Sequence, residues 1–218
     1  MPEPDNDFIW NTTSGDWNEP AHWNPLGPPG TSSHTATFGN SIGSGAETVF
    51  TNTAVTVNSI AFANTMNGTY AIGGVGSVNL ERGTSVNLPV TGVSISAGNH
   101  QFQINVALQD NATASMASVS TLKFNNRLFL NGHTLSKAGP GTIAINNDIV
   151  SGGGTVDILQ GTVTGVGTIG GDLNNNGGTI SPGSSSGQAT SLVPEPASWV
   201  MLGLGLFGWL AMSKRRVQ

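Results

Sequence analysis

Residues 141–180 read GTIAINNDIVSGGGTVDILQGTVTGVGTIGGDLNNNGGTI, and a Gly-Thr-apolar triplet recurs in them: Gly141-Thr142-Ile143, Gly154-Thr155-Val156, Gly161-Thr162-Val163, Gly167-Thr168-Ile169 and Gly178-Thr179-Ile180. Each Gly permits a sharp turn, and each Thr-apolar pair opens a strand. The intervals of 13, 7, 6 and 11 residues are too uneven for identical repeats. They suit stacked coils whose corners vary in length.

The same grammar runs upstream. Val55-Thr56-Val57, Ile60-Ala61-Phe62, Tyr70-Ala71-Ile72, one longer strand over Phe102–Leu108, and Leu128-Phe129-Leu130 are bounded by Gly, Asn or Ser clusters. Most alternate apolar with small or polar residues, so one face is buried and one is wet. Composition agrees. The 218 residues include 31 Gly, 23 Thr, 22 Ser and 22 Asn, with only 9% charged. That mixture punishes helix interiors, while 37% apolar content and a net charge of −5 exclude full disorder. An all-β chain follows.

Charge is divided unevenly. Residues 1–196 hold all 12 acids against four bases (Arg82, Lys123, Arg127, Lys137), whereas the last 22 residues hold Lys214, Arg215 and Arg216 and no acid. An acidic body does not collect polyanions, so nucleic acid is excluded as a partner. With no cysteine there are no disulfides, thiol nucleophiles or Cys-ligated zinc.

At the C-terminus, residues 197–212 (ASWVMLGLGLFGWLAM) carry no formal charge. As a helix rising roughly 1.5 Å per residue they reach about 24 Å, a marginal membrane span. The cluster Lys214-Arg215-Arg216 would stay on the cytoplasmic side and anchor the topology, leaving the body outside. Before the span, Val193-Pro194-Glu195-Pro196 forms a stiff, extended joint. These three features in this order resemble the PEP-CTERM sorting signal of exported proteins. The resemblance implies recognition by exosortase, a membrane protease, and delivery to the cell surface or extracellular matrix. The same signature is sometimes labelled an ice-binding protein C-terminal domain, which describes the tail only. Met1-Pro2-Glu3-Pro4-Asp5 is acidic and lacks an apolar signal region, so export implies a secretory signal not present in this chain.

A second resemblance rests on Leu135-Ser136-Lys137-Ala138-Gly139-Pro140-Gly141-Thr142-Ile143-Ala144-Ile145, on the triplets after it, and on the closing Gly177-Gly178-Thr179-Ile180-Ser181-Pro182-Gly183. This stretch is similar to the autotransporter-associated β-helix repeat, the Trp-rich start resembles the usual opening of such passengers, and the likeness spans most of residues 8–187. It implies a right-handed parallel β-helix, a solenoid of about six coils with roughly 20–25 residues each. The alternative on composition is an antiparallel β-sandwich. The chain then divides into a Trp-rich cap segment (1–46), a β-helix-like body (47–183), a Ser/Gly/Pro linker with the Pro-Glu-Pro motif (184–196), a short transmembrane helix (197–212) and a basic cytoplasmic tail (213–218).

Candidate sites are few. Trp10, Trp17 and Trp23 would cap the open end of the coils or offer a sugar-stacking platform, with extracellular polysaccharide as partner. Asp172, Asn174 and Asn176 imitate the first half of a calcium loop, but Gly183 stands where the bidentate Glu belongs. Asp148 and Asp157 are the candidate carboxylate pair for a polysaccharide-degrading enzyme. His100 reads as a satisfied strand residue. Gly203–Gly208 matches GxGxxG inside the apolar span, and Gly183–Gly187 matches GxSxG in a polar linker, both in the wrong context. An ice-binding face needs a Thr-x-Thr ladder in register, and Thr51-x-Thr53 and Thr162-x-Thr164 are isolated. No cofactor and no catalytic residue is expected. The reading is a non-enzymatic, exported structural or adhesive protein, with a carbohydrate- or ice-binding module and a polysaccharide-degrading enzyme as alternatives.

Overall fold

The computed structural model describes residues 6–84 and 91–183. These lie in a unit spanning residues 1–185, and residues 186–218 make up a second unit outside the described residues. The period-two pattern becomes β1 (Asp7–Trp10), β2 (Gly15–Asp16), β3 (Trp23–Asn24), β4 (Thr35–Phe38), β5 (Ala46–Phe50), β6 (Ala54–Val57) and β7 (Ser59–Phe62). There follow β8 (Thr69–Gly73), β9 (Ser77–Leu80), β10 (Gly92–Ile95), β11 (Asn99–Phe102), β12 (Asn105–Leu108), β13 (Ala112–Met116) and β14 (Thr121–Phe124). The last are β15 (Leu128–Phe129), β16 (Thr134–Ala138), β17 (Thr142–Ile145), β18 (Ile149–Ile158), β19 (Thr162–Gly165), β20 (Ile169–Asn175) and β21 (Thr179–Pro182).

The strands form three ladders. The first face runs β3-β1-β4-β7-β10-β13-β16, the second β6-β9-β12-β15, and the third β2-β5-β8-β11-β14-β17-β19-β21. The long β18 joins the first two, pairing Ile149 and Val150 with β15 and Thr155–Ile158 with β16. From β7 onward the chain visits the first, third and second faces in turn, then returns to the first one rung further on. The result is an all-β fold with long parallel sheets, compatible with a solenoid.

Among the described residues every strand pair is parallel except β1 with β3. The antiparallel sandwich is therefore overturned. Parallel partners need a full circuit of chain between them, where a sandwich would use tight hairpins. Circuit length varies more than the 20–25 residues expected, from Gly15↔Val49 near the start to Thr162↔Thr179 at the end. Among the described residues the third face carries eight strands, where the expectation is about six coils. Parallel pairing also begins at β1 and β4, upstream of residue 47.

Phe102–Leu108 is two strands, not one. The chain turns at Gln103 and Ile104, yet Phe102, Ile104, Val106 and Leu108 all stay buried. A corner that preserves the alternation leaves a period-two pattern blind to it. Other corners depend on glycine. At Gly161 (φ +78°), an added Cβ would come within 2.5 Å of the Gly139 carbonyl oxygen.

Inward side chains stack in columns along the coil axis. The N-terminal circuits are aromatic (Trp10, Trp17, Trp23, Phe38, Phe62, Tyr70, Phe102, Phe124), and the C-terminal ones aliphatic (Ile143, Ile149, Val156, Ile158, Val163). Phe38 lies 5.5 Å from Phe62, and Phe102 lies 5.4 Å from Phe124, both stacked. Circuits shorten where their contents shrink, as close packing of a narrower interior requires.

Candidate functional site

The three Trp residues form one buried cluster. Trp10 and Trp17 are wholly inaccessible and Trp23 is 1% exposed. Trp23 meets Trp10 and Trp17 nearly edge-on, each at 5.0 Å between centroids, and all three rings pack on Phe38. Their polar ends are satisfied: Trp17 Nε1–H donates to the Pro29 carbonyl at 3.0 Å, and Trp23 Nε1–H to that of Trp17 at 2.7 Å. A platform that stacks on sugar needs an exposed ring face. These rings have none, so the sugar-stacking role is corrected to packing within the first circuits.

The calcium-loop imitation fails on backbone shape. Asp172 and Asn174 lie in β20, paired beside Thr155 and Asp157, so the segment is an extended strand and not a loop. Asn176 spends its amide on Asp157 Oδ1 at 2.5 Å. Among the described residues no group of three or more His, Cys, Asp or Glu could hold a metal ion.

Asp148 and Asp157 are not brought together. Asp148 lies just before the half of β18 on the second face, which begins at Ile149, and Asp157 lies in the half on the first. Asp148 accepts from Thr168 Oγ1 at 2.6 Å and sits 3.9 Å from exposed Arg127. It is engaged in holding a corner.

The two Thr-x-Thr pairs play different parts. Thr51 is fully buried at a corner, its hydroxyl donating to the Thr53 carbonyl. On the third face, however, Thr121, Thr142, Thr162 and Thr179 form one continuous column. The parallel column two residues on holds Lys123, Ala144, Thr164 and Ser181, so no Thr-x-Thr ladder results. The first face has a smoother exterior. Its outward columns from Thr35 to Ser136 and from Thr37 to Ala138 contain only Gly, Ala, Ser or Thr across β4, β7, β10, β13 and β16.

Two buried ionisable groups carry the local chemistry. His100 accepts the Tyr70 N–H on Nδ1 at 3.1 Å, and Nε2 meets the Ala97 carbonyl at 2.9 Å. Burial lowers its pKa to about 4, so the ring is neutral. Lys137 points into the coil at a position between Ala114 and Ile158. Its ammonium donates to the carbonyls of Ala138 (3.1 Å), Gly139 (2.6 Å) and Gln160 (3.0 Å), tying one corner to the next. Burial lowers its pKa to about 8. In the sequence Lys137 belongs to the Leu135–Ile145 motif with no role of its own. The signal was its spacing: Lys137 shares the phase of inward Leu135.

Val193–Pro196, Lys214–Arg216, the apolar span 197–212, the GxGxxG string and residues 184–187 lie outside the described residues. Among the described residues no helix is long and apolar enough to cross a membrane.

Comparison with known families identifies the tail. A family model for the PEP-CTERM protein-sorting motif matches residues 192–216. Such signals mark proteins exported to the cell surface and processed by exosortase, a membrane protein. No curated protein and no solved structure matches the chain.

Proposed function

We propose that the chain is an exported structural or adhesive protein of the cell surface or extracellular matrix, with a right-handed parallel β-helix as body and a disposable sorting tail. The observation that carries this reading is the sorting motif at residues 192–216, within which Pro194-Glu195-Pro196, the apolar run and Lys214-Arg215-Arg216 follow in order. In this reading residues 197–212 cross the inner membrane until an exosortase-like protease cuts near the Pro-Glu-Pro joint. The positive cluster holds the end in the cytoplasm.

The body suits a passenger. Continuous ladders of peptide hydrogen bonds give a stiff unit from low-information sequence, and a surface with few charged side chains leaves it free to lie against neutral polymers. The resemblance of residues 135–183 to the autotransporter-associated repeat supports the right-handed winding, which parallel crossover connections adopt in about 98% of cases. No catalytic role is assigned. Deleting residues 192–218 tests the reading: surface display of the body is expected to be lost, and unchanged display would contradict it.

A second reading, a carbohydrate- or ice-binding module, draws on the smooth outer columns of the first face, where Ser94 and Ser115 are exposed. A flat surface lacking long side chains can lie on an ordered polymer or ice plane. Polysaccharide pull-down and thermal hysteresis would both be lost in Ser115→Arg if this face binds. A wild-type protein inactive in both assays removes the reading.

A further inference from the structure

The exterior of the second face brings together an aromatic ring, a loose ion pair and an orphaned amide. Leu128 and Leu130 are buried, so Phe129 between them points outward, where it is half-buried. Among the described residues every other Phe, Tyr or Trp except Phe50 is buried. On the adjoining rungs Phe129 is flanked by Ala107 and by Val150, which is 39% exposed. The three make a small apolar floor. Two residues back along the chain from each, on the same side of the sheet, stand Asn105, Arg127 and Asp148. Ladder bonds from the Val106 N–H to the Arg127 carbonyl and from the Leu128 N–H to that of Asp148 keep them in register. Polar capacity there is unspent. Arg127 Nε stands 3.9 Å from Asp148 Oδ2, too far for a hydrogen bond, with the two side chains 56% and 46% exposed. Asp148 Oδ1 is taken by Thr168, which leaves Oδ2 to a ligand. Among the described residues Asn105 Oδ1 is the one buried side-chain atom without a hydrogen-bond partner. Such an orphan costs stability until something completes it.

We propose that this patch binds a neutral polysaccharide, one sugar ring lying on Phe129 with its hydroxyls on Arg127, Asp148 and Asn105. A hydroxyl donates and accepts at once. Placed between Arg127 and Asp148, it donates to Oδ2 and accepts from the guanidinium, closing a gap that the two side chains leave open. The terminal torsion of Asn is soft, and turning the Asn105 carboxamide outward brings Oδ1 to a second hydroxyl. The C–H side of the sugar ring meets the negative face of the Phe129 ring. Rungs lie about 4.8 Å apart and alternate residues about 6.6 Å apart, so the patch measures about 10 by 7 Å. That is a footprint for a sugar residue, far below the roughly 800 Å² per side of a stable protein interface. A polyanion is disfavoured, because Asp148 balances Arg127 and residues 1–196 hold 12 acids against four bases. The site rests on the carbohydrate-binding reading and deepens it, moving the contact from the first face to the second.

Affinity electrophoresis tests the site on the full-length protein, held in a nonionic detergent without a sugar headgroup, with dextran, hydroxyethyl cellulose or galactomannan in the gel. Retardation relative to a polymer-free gel is expected with at least one of the three. Phe129→Ala and Arg127→Gln should each weaken it about tenfold. Lys123→Gln, which removes the same charge from the exterior of the third face, should leave it unchanged. Arg127 is exposed, so Arg127→Gln still reports if Phe129→Ala disturbs the fold. Tighter retardation by alginate, a polyuronate, would overturn the neutral class. Retardation kept in both variants but lost in Ser115→Arg would put the sugar on the first face, overturning this site and sparing the carbohydrate-binding reading. No retardation by any of the polymers overturns both, and leaves the sorting tail to its own test.

Discussion

The backbone N–H of Tyr70 donates to Nδ1 of His100 at 3.1 Å, binding two circuits through a side chain where a strand ladder would use a carbonyl. The imidazole also lies flat on Phe62, with 4.2 Å between centroids. Nδ1 must stay unprotonated to accept, which agrees with a pKa pressed by burial from 6.5 to about 4.

The acid limb of stability should therefore carry a histidine signature. Between pH 6.5 and about 4 the unfolded chain binds a proton that the fold refuses, so stability falls as pH falls through that window and levels below it. Thermal melts of His100→Gln should show a shallower decline over the same range than wild type. An identical slope in the two proteins contradicts the assignment.

Lys137 gives the opposite limb. Its pKa is lowered from 10.5 to about 8, so across that interval the unfolded chain holds a proton that the fold has released. Stability should rise with pH from about 8 to 10.5. Lys137→Met removes the titration and should flatten this rise in chemical denaturation measured at successive pH values. A wild-type curve flat over the interval would show that the three carbonyls hold the ammonium against burial.

Val119 is a β-branched residue at φ +59° and 91% exposed, a backbone region that costs an L-residue roughly 1–2 kcal/mol. Val119→Gly removes the clash and no packing. It should stabilise by about 1 kcal/mol and raise Tm by about 2–4 °C. A lower Tm would mean that the valine makes a contact the strain is there to serve.

Trp17→Ala should destabilise by about 3–5 kcal/mol, because it opens a large void and orphans the Pro29 carbonyl that Trp17 now satisfies. Equilibrium urea unfolding would measure it. A loss under about 1 kcal/mol would place the ring at a surface and revive a role in sugar stacking.

Much of the body was legible because Val, Ile and Thr at period two report which side of a strand is buried. Val55-Thr56-Val57 and Thr142-Ile143 lie on strands as read. Pairing was less legible. Alternation is the same in a hairpin and in a coil, so parallel stacking was favoured by the recurrence of Gly-Thr-apolar and by the family resemblance, and neither could reveal the corner hidden between Phe102 and Val106. The Trp residues left two readings open, cap or sugar platform, because an aromatic beside Asn and Asp fits either until its burial is known. Lys137 was invisible for a related reason: a lysine on an inward phase violates the rule that the pattern uses, and only three converging carbonyls make it tolerable. The sorting tail was legible because its meaning lies in order along the chain and requires no folded neighbour.

Mass spectrometry of the mature protein's C-terminus bears most directly on whether the body is a delivered passenger. In cells that process such signals, the surface-associated chain should end near Pro196, with the apolar run and its basic stop removed. A surface or released chain still ending in Arg216-Val217-Gln218 would contradict the account.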